Sequence, residues 1–188
     1  MMKSRLAVLA LALALSGCSL SLPFSGPTKS VQYYVLSSPV PTAEVSAPSI
    51  GVLPVTMPGY LSRPQLVVRE RDGVTIRIND FDRWAEEPAE GVARVLCGTL
   101  ASLGRSAVPL RTGTRVDSRL MLDIRRFDGP LDGDVVLDAV WTLQKDKKVV
   151  HSGAFTARRA AGSSLESMVE AQSELVQMLA RDIAGKLD

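Results

Sequence analysis

The sequence predicts an α+β domain: a largely antiparallel sheet, with mixed pairing allowed for, and two main helices packed on it. Three observations carry this. Residues 88–103 and 164–187 repeat apolar side chains at helical spacing. Residues around 120–125, 135–144 and 149–157 alternate apolar and polar side chains, as half-buried strands do. The order (strands, hairpin, helix, meander, helix) lacks the regular strand–helix alternation of a parallel α/β fold.

Residues 1–17 read as a lipoprotein signal peptide. Lys3 and Arg5 form a positive start, residues 6–15 are an unbroken run of Leu, Ala and Val, and Leu15-Ser16-Gly17-Cys18 has the small residues and the thiol of a lipobox. The apolar run falls well short of the ~20 residues of a membrane-spanning helix. Cys18 would take a diacylglycerol with palmitate-type chains and become the first residue of the mature protein. Acyl chains at ~0.8 kcal/mol per buried CH₂ hold a soluble body to a membrane. Ser19, where an Asp would signal inner-membrane retention in lipoproteins generally, favours the outer membrane, facing the periplasm. Residues 18–30, with Pro23, Gly26, Pro27 and several serines, form a flexible tether, and residues 31–188 a single periplasmic domain.

The domain opens on a strand at 31–36, rich in β-branched and aromatic residues. Pro39, Pro41 and Pro48 make 37–49 a loop. Residues 50–55 form an inner strand in which Pro54 has to sit where no ladder donor is needed. Asp72-Gly73, between 66–71 and 74–79, predicts a two-residue type I′ hairpin, with Val74, Ile76 and Ile78 on one face. Phe81 and Trp84 fall in the loop that follows.

Pro88 suits a first helical turn. Val92, Ala93, Leu96, Thr99, Leu100 and Leu103 make a stripe, and Gly104 suits the C′ position. In the meander, Leu120, Leu122 and Ile124 face the core, as do Val135, Leu137, Ala139, Trp141 and Leu143. Ser163 and Glu166 have capping-box spacing. The last helix carries Leu165, Met168, Val169, Val176, Leu179, Ile183 and Leu187 in a stripe broken by Gln172. Its other face is acidic (Glu166, Glu170, Glu174, Asp182), which anionic lipid would repel, so the stripe docks on the sheet.

The chain has 22 Lys and Arg against 20 Asp and Glu. Loss of Lys3 and Arg5 with the signal leaves the body neutral, which argues against a broad electrostatic grip on nucleic acid. Lipidation of Cys18 leaves Cys97 alone, so no internal disulfide can form, and its helical apolar setting is that of a small buried hydrophobe.

Catalytic constellations are missing. His151, the single histidine, sits in a strand pattern with no nucleophile elbow. One His and one free Cys cannot make a zinc site without several carboxylates, and no glycine-rich phosphate loop is present. No cofactor is expected. Asp80, Asp82, Glu86 and Glu87 cluster near Trp84; a solvated loop before a helix start is the better reading, with an envelope hydrolase as a weak rival.

What stands out is apolar and aromatic: Pro58, Gly59, Tyr60, Leu61 and Arg63 in a loop between strands, with Trp84 further on. Prolines hold a loop at low entropy cost, and aromatics with Arg populate interface centres. Two readings stay open: these residues form a partner-binding surface, or Tyr60, Leu61 and Trp84 cover one end of the core.

Residues 55–67 (Val-Thr-Met-Pro-Gly-Tyr-Leu-Ser-Arg-Pro-Gln-Leu-Val), then a hairpin, then Arg83-Trp84-Ala85-Glu86, resemble the PqiC-like ABC-type transport auxiliary lipoproteins. Tyr33-Tyr34-Val35-Leu36 and Ile50-Gly51-Val52 also look like that family's opening. Glu87-Pro88-Ala89 departs from it, since the family more often has proline and leucine directly after the glutamate. The resemblance implies a non-catalytic, lipid-anchored accessory subunit working beside an MCE-domain protein that carries lipid between membranes, and so supporting outer-membrane integrity. The alternative is a periplasmic carrier or chaperone-like lipoprotein that binds lipid itself, in an apolar groove between helix and sheet. A ring-shaped homo-oligomer would suit a conduit, although nothing in the sequence demands one.

Overall fold

Two sheets, not one, organise the chain. The structure is a computed structural model that describes residues 29–39, 49–111 and 113–187. The signal peptide, Cys18, nearly all of the tether and most of the proline loop at 37–49 lie outside the described residues. Val31–Asp188 form a unit of their own, distinct from Met1–Ser30.

The smaller sheet has the order β1–β4–β3: β1 (Gln32–Tyr34), β3 (Gln65–Arg69) and β4 (Ile76–Trp84). Leu66, Val67 and Val68 of β3 are all buried, which explains why this strand reads as a continuous apolar run instead of alternating. β3 and β4 are antiparallel, and their regular pairing ends at Arg69 opposite Ile76.

The hairpin is therefore present, but its turn differs from the expected type I′. The Asp72 carboxylate accepts from the N–H groups of Val74 and Thr75 at 2.9 and 2.8 Å and from the Thr75 hydroxyl at 2.6 Å. That side chain takes the amides a tight ladder would have used, so residues 70–75 all become connection. Gly73 alone of the Asp-Gly pair adopts positive φ, +75°.

β4 also runs on through Trp84, where a loop was expected. β1 supplies the reason: it pairs parallel to β4, Gln32 opposite Asp82 and Tyr34 opposite Trp84. Phe81 and Trp84 are thus strand residues.

The larger sheet has the order β5–β2–β6–β7–β8. β2 (Ile50–Val52) lies parallel between β5 (Ala107–Pro109) and β6 (Ser118–Asp128). β6, β7 (Asp134–Lys145) and β8 (Lys148–Ala160) form the antiparallel meander. Pro54 lies between the N–H of Leu53, bonded to Leu120, and the N–H of Thr56, bonded to Leu122. The donor that proline lacks is one this edge does not need. In β6 the register shifts between Ile124 and Arg126. The extra residue changes parity, so that Leu120, Leu122 and Ile124 before it and Phe127 after it are all buried.

The helices are α1 (Pro88–Ser102) and α2 (Leu165–Gly185). They pack on each other, α1 beside β5 and α2 across β7 and β8. Pro88 occupies the first turn of α1. Gly104, at φ +77°, follows the C-cap Leu103 and donates to Ala101, while Arg105 donates to Leu100. This pair of bonds closes the helix as a Schellman motif, which needs the positive φ glycine tolerates. Leu103 itself is 45% exposed, so it leaves the core stripe.

The cap of α2 falls one residue later than its spacing predicted: the Ser164 side chain accepts from Ser167 N. Glu166 instead receives the Tyr34 hydroxyl, at 3.2 Å. Gln172, the break in the α2 stripe, is buried and donates to the Phe127 carbonyl at 3.0 Å.

Candidate partner-docking site

The loop from Val55 to Pro64 crosses from the larger sheet to β3. The Pro58 carbonyl accepts from the N–H groups of Leu61 and Ser62, at 2.9 and 3.2 Å, which folds the loop into a turn. The Trp84 N–H donates to the Pro64 carbonyl at 2.7 Å, clamping the loop's exit to the end of β4.

Leu61 and Trp84 are 6% and 9% exposed. Of the two readings left open, the burial of these two side chains fits the one in which they cover an end of the core, and they hold the loop from beneath. Pro58, Tyr60 and Arg63 are partly exposed and Gly59 is exposed.

Tyr60 is fixed by a polar cluster that no local sequence pattern announced. Asp128, at the end of β6, is fully buried. Its carboxylate accepts from the Tyr60 hydroxyl at 2.6 Å, from Arg69 Nε and Nη2 at 2.8 and 3.0 Å, and from Arg126 Nε at 3.0 Å. Arg69 Nη2 also donates to the Tyr60 oxygen, at 3.0 Å, and its guanidinium stands 5.6 Å from the Tyr60 ring centre. Burial by itself pushes the Asp128 carboxyl up, but the hydrogen bonds from Arg69, Tyr60 and Arg126 outweigh it and hold the group below its ordinary value. Burial, with the Asp128 carboxylate as acceptor, pushes the Tyr60 phenol up. Arg126, one of a basic pair with Arg125, is tied into this cluster.

The available signal was slight. Arg69 follows three buried apolar residues, a position where a cation needs a partner, and Asp128 ends an alternating strand just before Gly129-Pro130. Their meeting spans 59 residues of chain.

Beside the loop lies a cleft of about 540 Å³, with Ser62, Arg63 and Pro64 on one wall and Trp84, Glu86 and Pro88 on the other. Of the singled-out residues, Arg63 and Trp84 share this cleft, whereas Tyr60 turns to the Asp128 cluster. Glu86 is taken by Arg94, which also donates to the Leu36 carbonyl at 2.8 Å. Glu87 is the N-cap of α1 and makes no side-chain bond to it. The Arg63 Nε is buried without an acceptor.

The remaining groups stay apart. The four acids near Trp84 form no joint site: Asp82 receives the Tyr34 hydroxyl at 3.3 Å while Glu86 pairs with Arg94. His151 is exposed on β8. Burial pushes the Cys97 thiol up to about 12. Among the described residues, no group of three His, Cys, Asp or Glu side chains is placed to hold a metal ion, and no helix is long and apolar enough to cross a membrane.

Residues 34–184 match the family described as the ABC-type transport auxiliary lipoprotein component, and the chain belongs to that family. Two solved structures share the fold. One is a crystal structure of an uncharacterized protein, 20% identical, covering 85% of this chain and 99% of its own, with a TM-score of 0.72. The other is protein XCC0632 from Xanthomonas campestris, 18% identical, covering 82% and 93%, with a TM-score of 0.67. No curated protein matches the sequence significantly. Family membership gives the chain an accessory role in an ABC-type transport system and the membrane-anchored envelope position of a lipoprotein; the description names no reaction.

Proposed function

We propose that this protein is a non-catalytic subunit, anchored through Cys18 to the periplasmic face of the outer membrane, that docks an MCE-domain protein of a lipid-transport system and so supports outer-membrane integrity. The family's auxiliary role is the ground for this reading. The structural observation that carries it is the immobilised Pro58–Arg63 loop. Tyr60 is bonded to a buried carboxylate, Leu61 is in the core, and the loop's exit is clamped at Pro64. A loop already ordered loses little further entropy on binding, which favours association.

The exposed remainder (Pro58, Gly59, one face of Tyr60 and Arg63) is the docking surface, with Leu61 and Trp84 as its support. Affinity capture from solubilised envelopes tests it. Wild-type protein should recover an MCE-domain protein, and Gly59→Trp, which puts a bulky side chain where nothing lies within 4 Å of an added Cβ, should recover at least tenfold less. Equal recovery by a folded Gly59→Trp variant would refute the surface. A Cys18→Ser variant should leave the membrane fraction.

A second reading, direct lipid carriage, has one observation in its favour. A cleft of about 490 Å³ sets Ile50, Leu143, Val150 and Leu187 beside Arg105, Lys145 and Asp117, apolar walls with a charged rim in which cations outnumber the one acid. Native mass spectrometry of gently purified protein discriminates: stoichiometric bound lipid favours carriage, and its absence favours docking alone.

A further inference from the structure

β1 and the residues beside it carry apolar side chains on both faces. Tyr34 and Leu36 turn inward, and both pack into the core. Val31, Tyr33 and Val35 alternate with them, and all three are exposed, Tyr33 by 65%. The register partner of Tyr33 is Arg83 of β4, and Phe81, two residues before Arg83, is exposed as well. Single exposed apolar residues are ordinary, but three successive outward positions of one extended segment make a contiguous face.

Net charge does not set what this face meets. Asp82 turns the other way, to the Tyr34 hydroxyl at 3.3 Å, which also lies 3.2 Å from Glu166. Arg83 and Asp80, joined by a bond from Arg83 Nε to the Asp80 carbonyl at 3.2 Å, bring opposite charges to the border. The chain itself points to the occupant. Cys18, the proposed anchor, lies thirteen residues before Val31. Fully extended, at ~3.3 Å per residue, that tether keeps Val31 within about 40 Å of the lipid. On so short a leash the membrane is present at an effective concentration on the order of millimolar, so a small apolar face is enough to hold it. A protein partner or a second copy is not tied to this face in that way.

We infer that the Val31–Tyr33–Val35 face seats the body directly on the phospholipid surface that holds Cys18. The inference rests on the Cys18 anchor proposed above and adds a second, non-covalent contact. The anchor supplies the hold, and the face supplies the orientation. Valines meet the acyl boundary, while a tyrosine with an arginine beside it suits the headgroup level, where amphipathic rings and long cations settle. Because the contact is apolar, salt leaves it standing. Gln65, where the docking loop enters β3, is also in register with Arg83, so seating this sheet fixes the height at which the loop is presented.

The test uses the full-length lipidated protein reconstituted into vesicles of phosphatidylethanolamine and phosphatidylglycerol. An environment-sensitive thiol label is placed on Val35→Cys or, away from the face, on Ser152→Cys, an exposed position of β8. Buried Cys97 and acylated Cys18 take no label. Brominated acyl chains should quench the label at position 35 at least fivefold more than the label at 152, at low and at high salt alike. Adding Tyr33→Glu, or the milder Tyr33→Ser, should cut the quenching at least threefold while circular dichroism is unchanged and the protein stays in the membrane fraction. Equal quenching at the two positions, none at position 35, or undiminished quenching in both Tyr33 variants overturns the seating. A blue shift at position 35 that grows with protein concentration and lacks bromine quenching assigns the face to a second copy and overturns it too. The anchor is read separately. Wild-type protein that takes the label and leaves the membrane fraction refutes the anchor and the seating built on it. Unlabelled, membrane-bound wild type with an unquenched label at position 35 refutes the seating alone.

Discussion

Arg69 and Asp128 face each other across the junction of the two sheets, the guanidinium laying Nε and Nη2 on the two carboxylate oxygens at 2.8 and 3.0 Å. The Arg69 N–H also donates to the Gly129 carbonyl, at 3.2 Å. A side-chain fork and a backbone bond thus fasten the end of β3 to the end of β6. The Tyr60 hydroxyl, 2.6 Å from the same carboxylate, brings the docking loop into the joint.

Asp128→Asn removes the charge that two guanidinium groups share and leaves both without a counterion. Breaking one partner of such a buried pair should cost on the order of 3 kcal/mol of unfolding free energy. Tyr60→Phe removes one hydrogen bond to a charged acceptor and should cost about 1.5 kcal/mol. Urea denaturation followed by circular dichroism reads both. An Asp128→Asn loss below that of Tyr60→Phe would contradict the joint's role.

The same carboxylate sets a pH dependence. Its folded value lies below its ordinary one because its hydrogen bonds outweigh the effect of burial. The unfolded chain therefore binds the proton first as pH falls. The stabilisation is complete above about pH 5, where the carboxyl is ionised in both states, and is lost as pH drops through 4 and below. Melting temperature should decline over that window, and Asp128→Asn should decline less steeply. The comparison with the variant is needed because hydrogen bonds also hold Asp72 and Glu166 low. Parallel pH profiles for the two proteins would remove Asp128 from the account.

Gly129 follows the cluster directly. A Cβ there would stand 2.4 Å from the Asp134 carbonyl oxygen and 2.6 Å from Val135 Cα, both backbone atoms that cannot step aside. Gly129→Ala should destabilise by about 3 kcal/mol, whereas Gly59→Ala, with open space around the added carbon, should stay within about 0.5 kcal/mol. Thermal melts of the two variants check this, and similar melting temperatures would refute it.

The Cys97 thiol is 6% exposed and lifted to about 12 by burial, so hardly any thiolate exists at neutral pH. A thiol-exchange reagent should find no reactive group in the folded lipoprotein and one after denaturation. Two groups on denaturation would mean that Cys18 carries no lipid.

The helices and the meander were legible because their signals are local. Val92, Leu96 and Leu100 repeat every fourth residue, Gly104 marks the stop, and Leu120 to Ile124 alternate. The parallel pairings had no such signal: β1 meets β4, and β2 meets β5 and β6, from far along the chain. Asp80, Asp82 and Arg83 mask the second half of β4, which becomes a strand only because β1 lies alongside. β5 is three residues long and ends in Pro109. The docking motif was visible as composition, but whether Leu61 and Trp84 face a partner or the core stayed open, because that depends on where β4 ends. Asp128 and Arg69 were missed because each is unremarkable without the other.

One residue of slack in β6 decides how the layers meet. Arg125 is exposed. Arg125 is the residue the β7 ladder skips, between Ile124 opposite Ala139 and Arg126 opposite Asp138; were the ladder to take it in and run on regularly, Phe127 and Asp128 would swap sides. The joint therefore depends on the ladder skipping one position and not on the side chain found there, so exchanging Arg125 for another polar residue should pass unnoticed, and deleting it, which leaves Phe127 opposite Leu137 and Asp128 opposite Val136, should keep both side chains on their present sides.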